Sequence, residues 1–212
     1  MGQKMIPIID IFLHLDKYLI TFIQSHDILV YFLVFMIIFI ETGIVFFPFL
    51  PGDSLLFTVG TLAAIGSMNL WVLIFSLTIA AILGDSINYW VGHKFGDFLL
   101  SRKNRVFLTL EHLKMTEEFY KKYGNKTIIF ARFVPIVRTI APFIAGMGKM
   151  SFPSFFKYNI IGGIVWVSMF IFAGFFFGNI PIVKEQLHWV IIGIIVISII
   201  PIVWKIIRIK SN

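Results

Sequence analysis

The segment from Lys126 to Met150, KTIIFARFVPIVRTIAPFIAGMGKM, places two arginines and two prolines inside a run that is otherwise apolar enough to enter a lipid bilayer. Each arginine would cost about 2.5–3.5 kcal/mol at the centre of a membrane helix. Pro135 and Pro142 each remove a backbone donor and clash with the preceding turn, so we expect the helix to break there. Broken backbone and charge persist at membrane depth only when they are buried in protein or line a wet cavity. The segment therefore predicts a polar site inside a membrane protein.

The rest of the chain has the composition that such a protein needs. Hydrophobic residues make up 58% and charged residues 14% of the chain, against about 45–50% and 25% in soluble domains. A length of 212 residues leaves little for a soluble domain, so we expect one membrane domain over 28–207. The absence of cysteine excludes disulfides and thiolate chemistry. The basic residues behind the net charge of +7 flank apolar segments, which favours anionic lipid over nucleic acid as their partner.

The hydropathy pattern predicts an all-α polytopic membrane protein. Residues 1–27 mix charge with apolar residues at helical spacing, which indicates an amphipathic surface helix rather than a signal peptide, because Asp10 and Asp16 interrupt the apolar region. Spans are predicted at about 28–47, 70–91, 152–178 and 189–207. Two further apolar segments are predicted to be re-entrant, 48–66 and 126–148, with helix breaks at Pro48, Pro51, Pro135 and Pro142.

The polar stretches of the chain predict its orientation. Residues 93–125 form a basic segment, with a short helix predicted between Thr116 and Gly124, and 208–212 form a basic tail. Four crossings place both termini and the basic segment in the cytoplasm and the sparsely charged linker at 179–188 outside. Counting one of the broken segments alone as a crossing would put basic regions on opposite faces.

An internal repeat joins the two broken segments. Residues 66–96 align with 148–178 at a constant shift of 82, which pairs Gly92 with Gly174 and Gly96 with Gly178. Upstream, the Phe-Leu-Pro of 49–51 matches the Phe-Val-Pro of 133–135. Chance similarity between apolar helices is the alternative. If the repeat is real, the two segments enter from opposite faces, and such inverted repeats place a substrate site at the midplane of the membrane.

Four charged residues are predicted to lie at membrane depth: Glu41, Asp53, Arg132 and Arg138. Left in lipid they would cost about 10 kcal/mol together, so they must pair or meet water. Two converging guanidinium groups make a bidentate site for an anion such as phosphate. The alternative is that the arginines only neutralise the two carboxylates as structural ion pairs.

Several polar residues allow two interpretations. Asp53 follows Pro51-Gly52 and precedes an apolar run, which is also typical of a helix N-cap. Glu41 has no such explanation inside an apolar span and is our first choice for a proton carrier. Asp85 and Asn88, one turn apart, extend a polar path or mark a helix–helix contact. Trp166, like the other membrane tryptophans, is interpreted as an interface anchor or as packing.

Catalysis has little support in the sequence. It contains no nucleophile beside a general base, no nucleotide-binding loop and no cluster of metal ligands. We therefore expect no enzyme, no catalytic residue, no metal and no cofactor.

The motifs around the charged residues resemble those of a known family. The run Phe130-Ala-Arg-Phe-Val-Pro-Ile-Val-Arg138, with Glu41-Thr-Gly, Phe49-Leu-Pro-Gly-Asp-Ser54 and Gly84-Asp85, closely resembles the signature of the DedA family, also called the SNARE-associated or VTT-domain family. The resemblance covers roughly 28–178. It implies two inverted re-entrant repeats and lipid translocation across the bacterial cytoplasmic membrane. It also implies dependence on the proton-motive force and a need for Glu41, Asp53, Arg132 and Arg138.

These observations lead to two functional hypotheses. The first is a transporter that binds the phosphate of undecaprenyl phosphate through Arg132 and Arg138, with Glu41 and Asp53 as gating and proton-coupling groups. The second is an energy-independent scramblase of phospholipids such as phosphatidylethanolamine. An intramembrane phosphatase is a weaker third option, because a nucleophile is missing. An oligomer is possible, since glycine pairs serve internal packing as readily as dimerisation.

Overall fold

The computed structural model describes residues 27–44, 52–101, 110–148 and 150–181, and every regular element in these ranges is helical. Helix α1 spans Asp27–Gly43, α2 spans Gly52–Ala64 and α3 spans Leu70–Ser101. Helix α4 spans Leu110–Tyr123, and a 3-10 turn at Gly124–Lys126 leads into α5. The last elements are α5 at Thr127–Ala131, α6 at Pro135–Met147 and α7 at Phe152–Gly178.

Part of the sequence prediction lies outside the described residues. This applies to the amphipathic helix at 1–27 apart from its last residue, to the breaks at Pro48 and Pro51, to the span at 189–207 and to the tail at 208–212.

Two described helices are long and apolar enough to cross a membrane, Leu70–Phe95 within α3 and Phe152–Gly178. Both carry large apolar side chains on their outer surface; Phe75 is 72% exposed and Phe176 is 69% exposed. Contiguous exposed apolar surface of this kind is typical of a face that meets lipid. Helices α2 and α6 have 13 residues each, which gives about 20 Å of length against about 30 Å of bilayer core.

Two helices end at other residues than the predicted spans. Helix α3 does not end at Val91 but continues through Gly92 and Gly96 to Ser101, so the predicted basic segment begins inside a helix. The physical reason is that Gly92 serves as a close contact between helices and not as a helix end. Helix α1 ends at Gly43, four residues before the predicted end, and Ile44 is already outside the helix.

The helix predicted between Thr116 and Gly124 is longer than expected. Helix α4 begins at Leu110, and Thr116 lies fully buried within it. Gly124 ends the helix in a left-handed conformation with φ +55°, which glycine adopts without the steric cost of a side chain.

The two prolines of the second broken segment behave differently. Before Pro135 the chain breaks: Val134 is extended, with φ −118° and ψ 105°, and Pro135 is the first residue of α6, where its missing N–H is not needed. Pro142 lies inside α6 without a break, so the predicted second break is wrong. Side chains stabilise the backbone around Pro142, because Asn88 donates a 2.7 Å hydrogen bond to the Thr139 carbonyl and Tyr120 a 2.9 Å bond to that of Ala141.

Where the sequence predicts one membrane domain, the contacts of the chain divide it into two compact units. Among the described residues, the first unit contains 27–33, Asp53–Leu73 and 170–181. The second contains 34–44, Gly52, Ile74–Met169 and therefore most of the buried polar side chains.

In the first unit, α2 packs against the end of α7 through two glycines. A Cβ at Gly174 would collide with the carbonyl oxygen of Phe57, and a Cβ at Gly60 would collide with that of Ile171. The backbones are therefore in direct contact, and Thr61 Oγ1 adds a 3.2 Å hydrogen bond to the Gly174 carbonyl.

In the second unit, α6 packs against α3 through the same arrangement. A Cβ at Gly92 would collide with the carbonyl oxygen of Phe143, and a Cβ at Gly146 would collide with that of Tyr89. Gly92 stands 82 positions before Gly174, as in the alignment from the sequence. In each unit, a short helix is thus joined to part of a long helix by reciprocal glycine contacts.

Candidate functional site

Two buried ion pairs lie close together in the second unit. Arg132 Nη2 is 2.6 Å from Asp85 Oδ2, and Arg138 Nη2 pairs with Glu41 Oε1. All four side chains are buried, from 0% exposure for Glu41 to 8% for Arg138. Charges buried to this degree are stable only as pairs, because removing a lone ion from water costs roughly several kcal/mol.

The helix break brings both arginines to one place. Six positions on a continuous helix turn by about 600°, so Arg132 and Arg138 would leave it on different faces. Arg132 instead follows the last residue of α5, and Arg138 lies in the first turn of α6 after the break at Val134. The break before Pro135 therefore lets both guanidinium groups line one cavity.

Arg132 is held by an amide as well as by a carboxylate. Its Nη2 donates to Asn159 Oδ1 at 2.6 Å. Asn159, fully buried on α7, uses its own amide group to donate to the Ile82 carbonyl at 3.0 Å and to Ser86 Oγ at 3.3 Å. Gly162 leaves room for this arginine, since a Cβ there would lie 3.1 Å from Arg132 Nε. Arg132 is thus fixed between α3 and α7.

Glu41 stands near the end of α1 and reaches the start of α2. Its Oε1, which pairs with Arg138, also accepts a 3.2 Å hydrogen bond from the Gly52 N–H. The two residues after Glu41 pack closely against α3. A Cβ at Gly84 would collide with Thr42 Oγ1 and would lie 2.9 Å from the Gly43 nitrogen. This contact places Glu41 on α1 beside Asp85 on α3.

The two secondary polar residues have separate roles in the structure. Asp85 belongs to the ion-pair cluster, whereas Asn88 connects two backbones, donating to the Thr139 carbonyl at 2.7 Å and to the Thr42 carbonyl at 3.4 Å.

Asp53 lies in the first turn of α2, in the first unit, where a carboxylate is favoured by the helix dipole. The carboxylate that the structure pairs with Arg132 is Asp85, and the sequence had offered Asp53 for such a pair.

Trp166 is a site residue that the sequence analysis missed. Its ring centroid lies 5.8 Å from the guanidinium carbon of Arg132 and 5.3 Å from that of Arg138, and the side chain is 1% exposed. Asn159 was missed as well. A signal was present, because Asn159, Gly162 and Trp166 are spaced to share one face of α7.

The cluster lines a small cavity. A cavity of about 10 Å³ is lined by both ion pairs together with Thr42, Thr139 and Trp166, which is room for about one water molecule. Arg132 Nε is buried and has no hydrogen-bond partner among the described residues. The Nη2 atoms of both arginines are engaged by carboxylates, so an anion that binds them must displace Glu41 and Asp85.

Outside the membrane-spanning segments, Tyr120 of α4 supports the helix that carries Arg138. Burial, with a smaller effect from the charge of Asp85, raises the pKa of the Tyr120 hydroxyl above its usual value. The hydroxyl therefore remains a donor to the Ala141 carbonyl at physiological pH. In the part of the chain that the structure describes, no group of three or more acidic or histidine side chains could hold a metal ion.

Comparison with known proteins identifies the family. The VTT domain matches residues 50–176. Protein DedA of Escherichia coli (strain K12) is 49% identical over 205 residues, which cover 96% of this chain and 94% of that protein. An uncharacterized membrane protein of Mycobacterium leprae (strain TN) is 43% identical over 166 residues, 78% of this chain and 74% of its own length.

A more distant relative carries a location in its name. Inner membrane protein YqjA of Escherichia coli (strain K12) is 33% identical over 154 residues, 73% of this chain and 70% of that protein. No solved structure matches the chain. The domain match and the near full-length identity to protein DedA together show that this chain belongs to the DedA family of VTT-domain membrane proteins.

Proposed function

We propose that the protein is a lipid transporter of the cytoplasmic membrane, which carries undecaprenyl phosphate or a similar polyprenyl phosphate inward with protons as the coupling ion. The observation that carries the proposal is the pair of buried guanidinium groups of Arg132 and Arg138, which line one cavity. Guanidinium groups bind phosphate oxygens through paired hydrogen bonds. In this proposal the phosphate crosses on the arginines, the polyprenyl chain stays in lipid, and the protein performs no covalent step.

The charge balance of the site supports proton coupling. Glu41 and Asp85 already neutralise the two arginines, so a phosphate that enters adds negative charge to a buried place. The cost falls if a carboxylate is protonated as the phosphate arrives. Glu41 is the carboxylate assigned to this exchange, and Asp53 at the start of α2 is assigned to gating. Lipid anion and proton then move in the same direction and are released together in the cytoplasm.

The repeated helix contact supports an inverted pair of re-entrant segments. Helices α2 and α6 have equal length, are shorter than the bilayer core and meet a long helix through the same glycine contacts. We assign both as re-entrant, which gives four crossings with both termini and α4 in the cytoplasm. The name of the relative YqjA supports the cytoplasmic membrane as the location.

The small volume of the cavity favours a coupled transporter over a passive scramblase. A scramblase of zwitterionic phospholipids needs a polar groove that admits lipid headgroups, and the cavity that the charged groups line here has a volume of only about 10 Å³. Opening them requires two ion pairs to separate. Protonation of a carboxylate would weaken its ion pair, so the separation of the pairs is a step that protonation would control.

A proteoliposome assay tests the proposal. The purified protein is reconstituted with labelled undecaprenyl phosphate, and the fraction of lipid that an added, membrane-impermeant phosphatase can attack is followed with time. We expect movement away from the outer leaflet to accelerate at least about 10-fold when the outside is acidic, because the imposed gradient drives the coupled proton. Phosphatidylethanolamine, followed by an amine-reactive reagent, is expected to move no faster than in empty liposomes.

Two outcomes would contradict the proposal. Movement that ignores the pH gradient and accepts phosphatidylethanolamine equally would favour the scramblase. Release of inorganic phosphate by the protein itself, without added phosphatase, would revive the intramembrane phosphatase.

A further inference from the structure

Trp166 contacts both cations of the candidate site with one ring system. The guanidinium carbons of Arg132 and Arg138 lie 5.8 Å and 5.3 Å from the ring centroid. The indole is almost completely buried and lines the same cavity as Glu41 and Asp85. Cations within about 6 Å of a tryptophan face are attracted by its quadrupole, and the attraction is strongest where water is excluded.

The indole ring and the carboxylates bind different parts of the guanidinium groups. Glu41 and Asp85 accept hydrogen bonds from the Nη atoms of the arginines, which are the donors that a phosphate would need. The indole face uses none of those donors, because it attracts the charge of the whole guanidinium plane. A phosphate could therefore replace both carboxylates without displacing the tryptophan.

We propose that Trp166 is a positioning residue of the phosphate site, which keeps the guanidinium groups of Arg132 and Arg138 side by side when they leave their carboxylates. The inference rests on the proposed function and deepens it by naming the residue that positions the two phosphate ligands. Two released guanidinium groups repel each other, and phosphate binding needs them to converge. An uncharged aromatic face offsets this repulsion without competing for the anion.

The packing of α7 makes Trp166 a fixed wall. One turn and two turns before it, Gly162 and Asn159 contact Arg132 on the same side of the helix. Asn159 is in turn bound to α3 through the Ile82 carbonyl and Ser86. The hydrogen bonds of Asn159 to α3 thus hold the helix that carries the tryptophan from a side other than that of the Glu41–Arg138 pair.

Two substitutions of Trp166 distinguish a positioning role of its ring from a packing role. Trp166→Phe keeps an aromatic face, whereas Trp166→Leu fills part of the space without one. We expect purified Trp166→Phe to bind radiolabelled farnesyl phosphate within about 3-fold of the wild-type affinity and Trp166→Leu to lose about 10-fold or more. Thermal unfolding of both variants shows whether the fold is equally kept. Equal losses of affinity in two variants of equal stability would overturn the inference.

Intrinsic fluorescence gives a readout that packing alone would not change. Addition of farnesyl phosphate alters the charges around the indole, so the emission of the wild-type protein should shift. The shift should persist in Trp71→Phe, whose tryptophan is 70% exposed on α3, and should vanish in Trp166→Phe. A shift that persists unchanged in Trp166→Phe would overturn the inference. If the labelled lipid does not bind the wild-type protein at all, the proposed function fails first and this inference fails with it.

Discussion

Among single residues, Arg132 has the most completely described surroundings. It pairs with Asp85 at 2.6 Å and donates to Asn159 at 2.6 Å, and Asn159 is anchored to α3. This arrangement has the character of a structural ion pair, which was one of the two interpretations that the sequence left open. Arg132 therefore contributes both to the stability of the second unit and to the charge of the site.

Loss of the carboxylate at Asp85 should destabilise the protein strongly. Asp85→Asn leaves the buried Arg132 charge without its anionic partner, and broken buried pairs of this kind cost about 3–5 kcal/mol. We expect a clear fall in the unfolding temperature of the purified protein. Glu117→Gln, a change of the same chemistry at an exposed position of α4, should leave that temperature unchanged.

A double variant shows whether the lost ion pair or the altered packing is what destabilises Asp85→Asn. Asp85→Asn combined with Arg132→Gln removes both charges, so the double variant should be more stable than Asp85→Asn alone. A double variant that is less stable than either single variant would contradict the ion pair as the source of the effect.

The sequence predicted the kinds of residue at the site better than their pairing. Glu41, Arg132 and Arg138 were recognisable because a charge inside an apolar segment has few explanations. The choice between Asp53 and Asp85 as a partner depends on contacts between residues 47 positions apart, which spacing along the chain does not report. Trp166 and Asn159 were missed because a tryptophan or an amide in a membrane helix is usually explained by packing.

At the scale of helices, proline and glycine had effects that depended on their neighbours. Pro135 begins a helix and Pro142 is contained in one, where Asn88 and Tyr120 bind the neighbouring carbonyl groups of Thr139 and Ala141. Gly92 was expected near a helix end and instead allows two backbones to touch. Local sequence indicates where a helix is weak, but tertiary contacts decide whether it breaks.

The reciprocal glycine contacts predict matched effects in the two units. Gly92→Ala and Gly174→Ala each place a Cβ against a carbonyl oxygen, and such overpacking costs about 1–3 kcal/mol. We expect both variants to unfold at lower temperature by similar amounts. Leu83→Ala removes side-chain atoms at an exposed position on α3, and it should lower the unfolding temperature by less. A large fall for Leu83→Ala with none for the glycines would contradict the packing described here.

At the scale of the whole molecule, the re-entrant assignment of 126–148 makes a prediction about sidedness. If that segment is re-entrant, α7 is the only crossing between Lys122 and Asn179, and the two residues lie on opposite sides of the membrane. If it crosses fully, they lie on the same side. The chain contains no cysteine, so single cysteines report without interference.

The measurement is labelling by a membrane-impermeant maleimide in intact cells. Asn179→Cys should be labelled from outside, and Lys122→Cys only after the membrane is permeabilised. Both residues are exposed in the structure, so access depends on the membrane and not on burial. Labelling of both variants in intact cells would contradict the assignment.

The proposed transport depends on Arg138 acting as a ligand for phosphate and not only as the partner of Glu41. Arg138→Lys keeps the charge that Glu41 requires but loses the planar fork that binds two oxygens. The most direct test is inward movement of undecaprenyl phosphate in proteoliposomes under a pH gradient, compared with Lys94→Arg, an equally conservative change at an exposed residue. We predict that Arg138→Lys, folded as judged by its unfolding temperature, loses at least about 10-fold in rate while Lys94→Arg does not. Transport at the wild-type rate in Arg138→Lys would contradict the account.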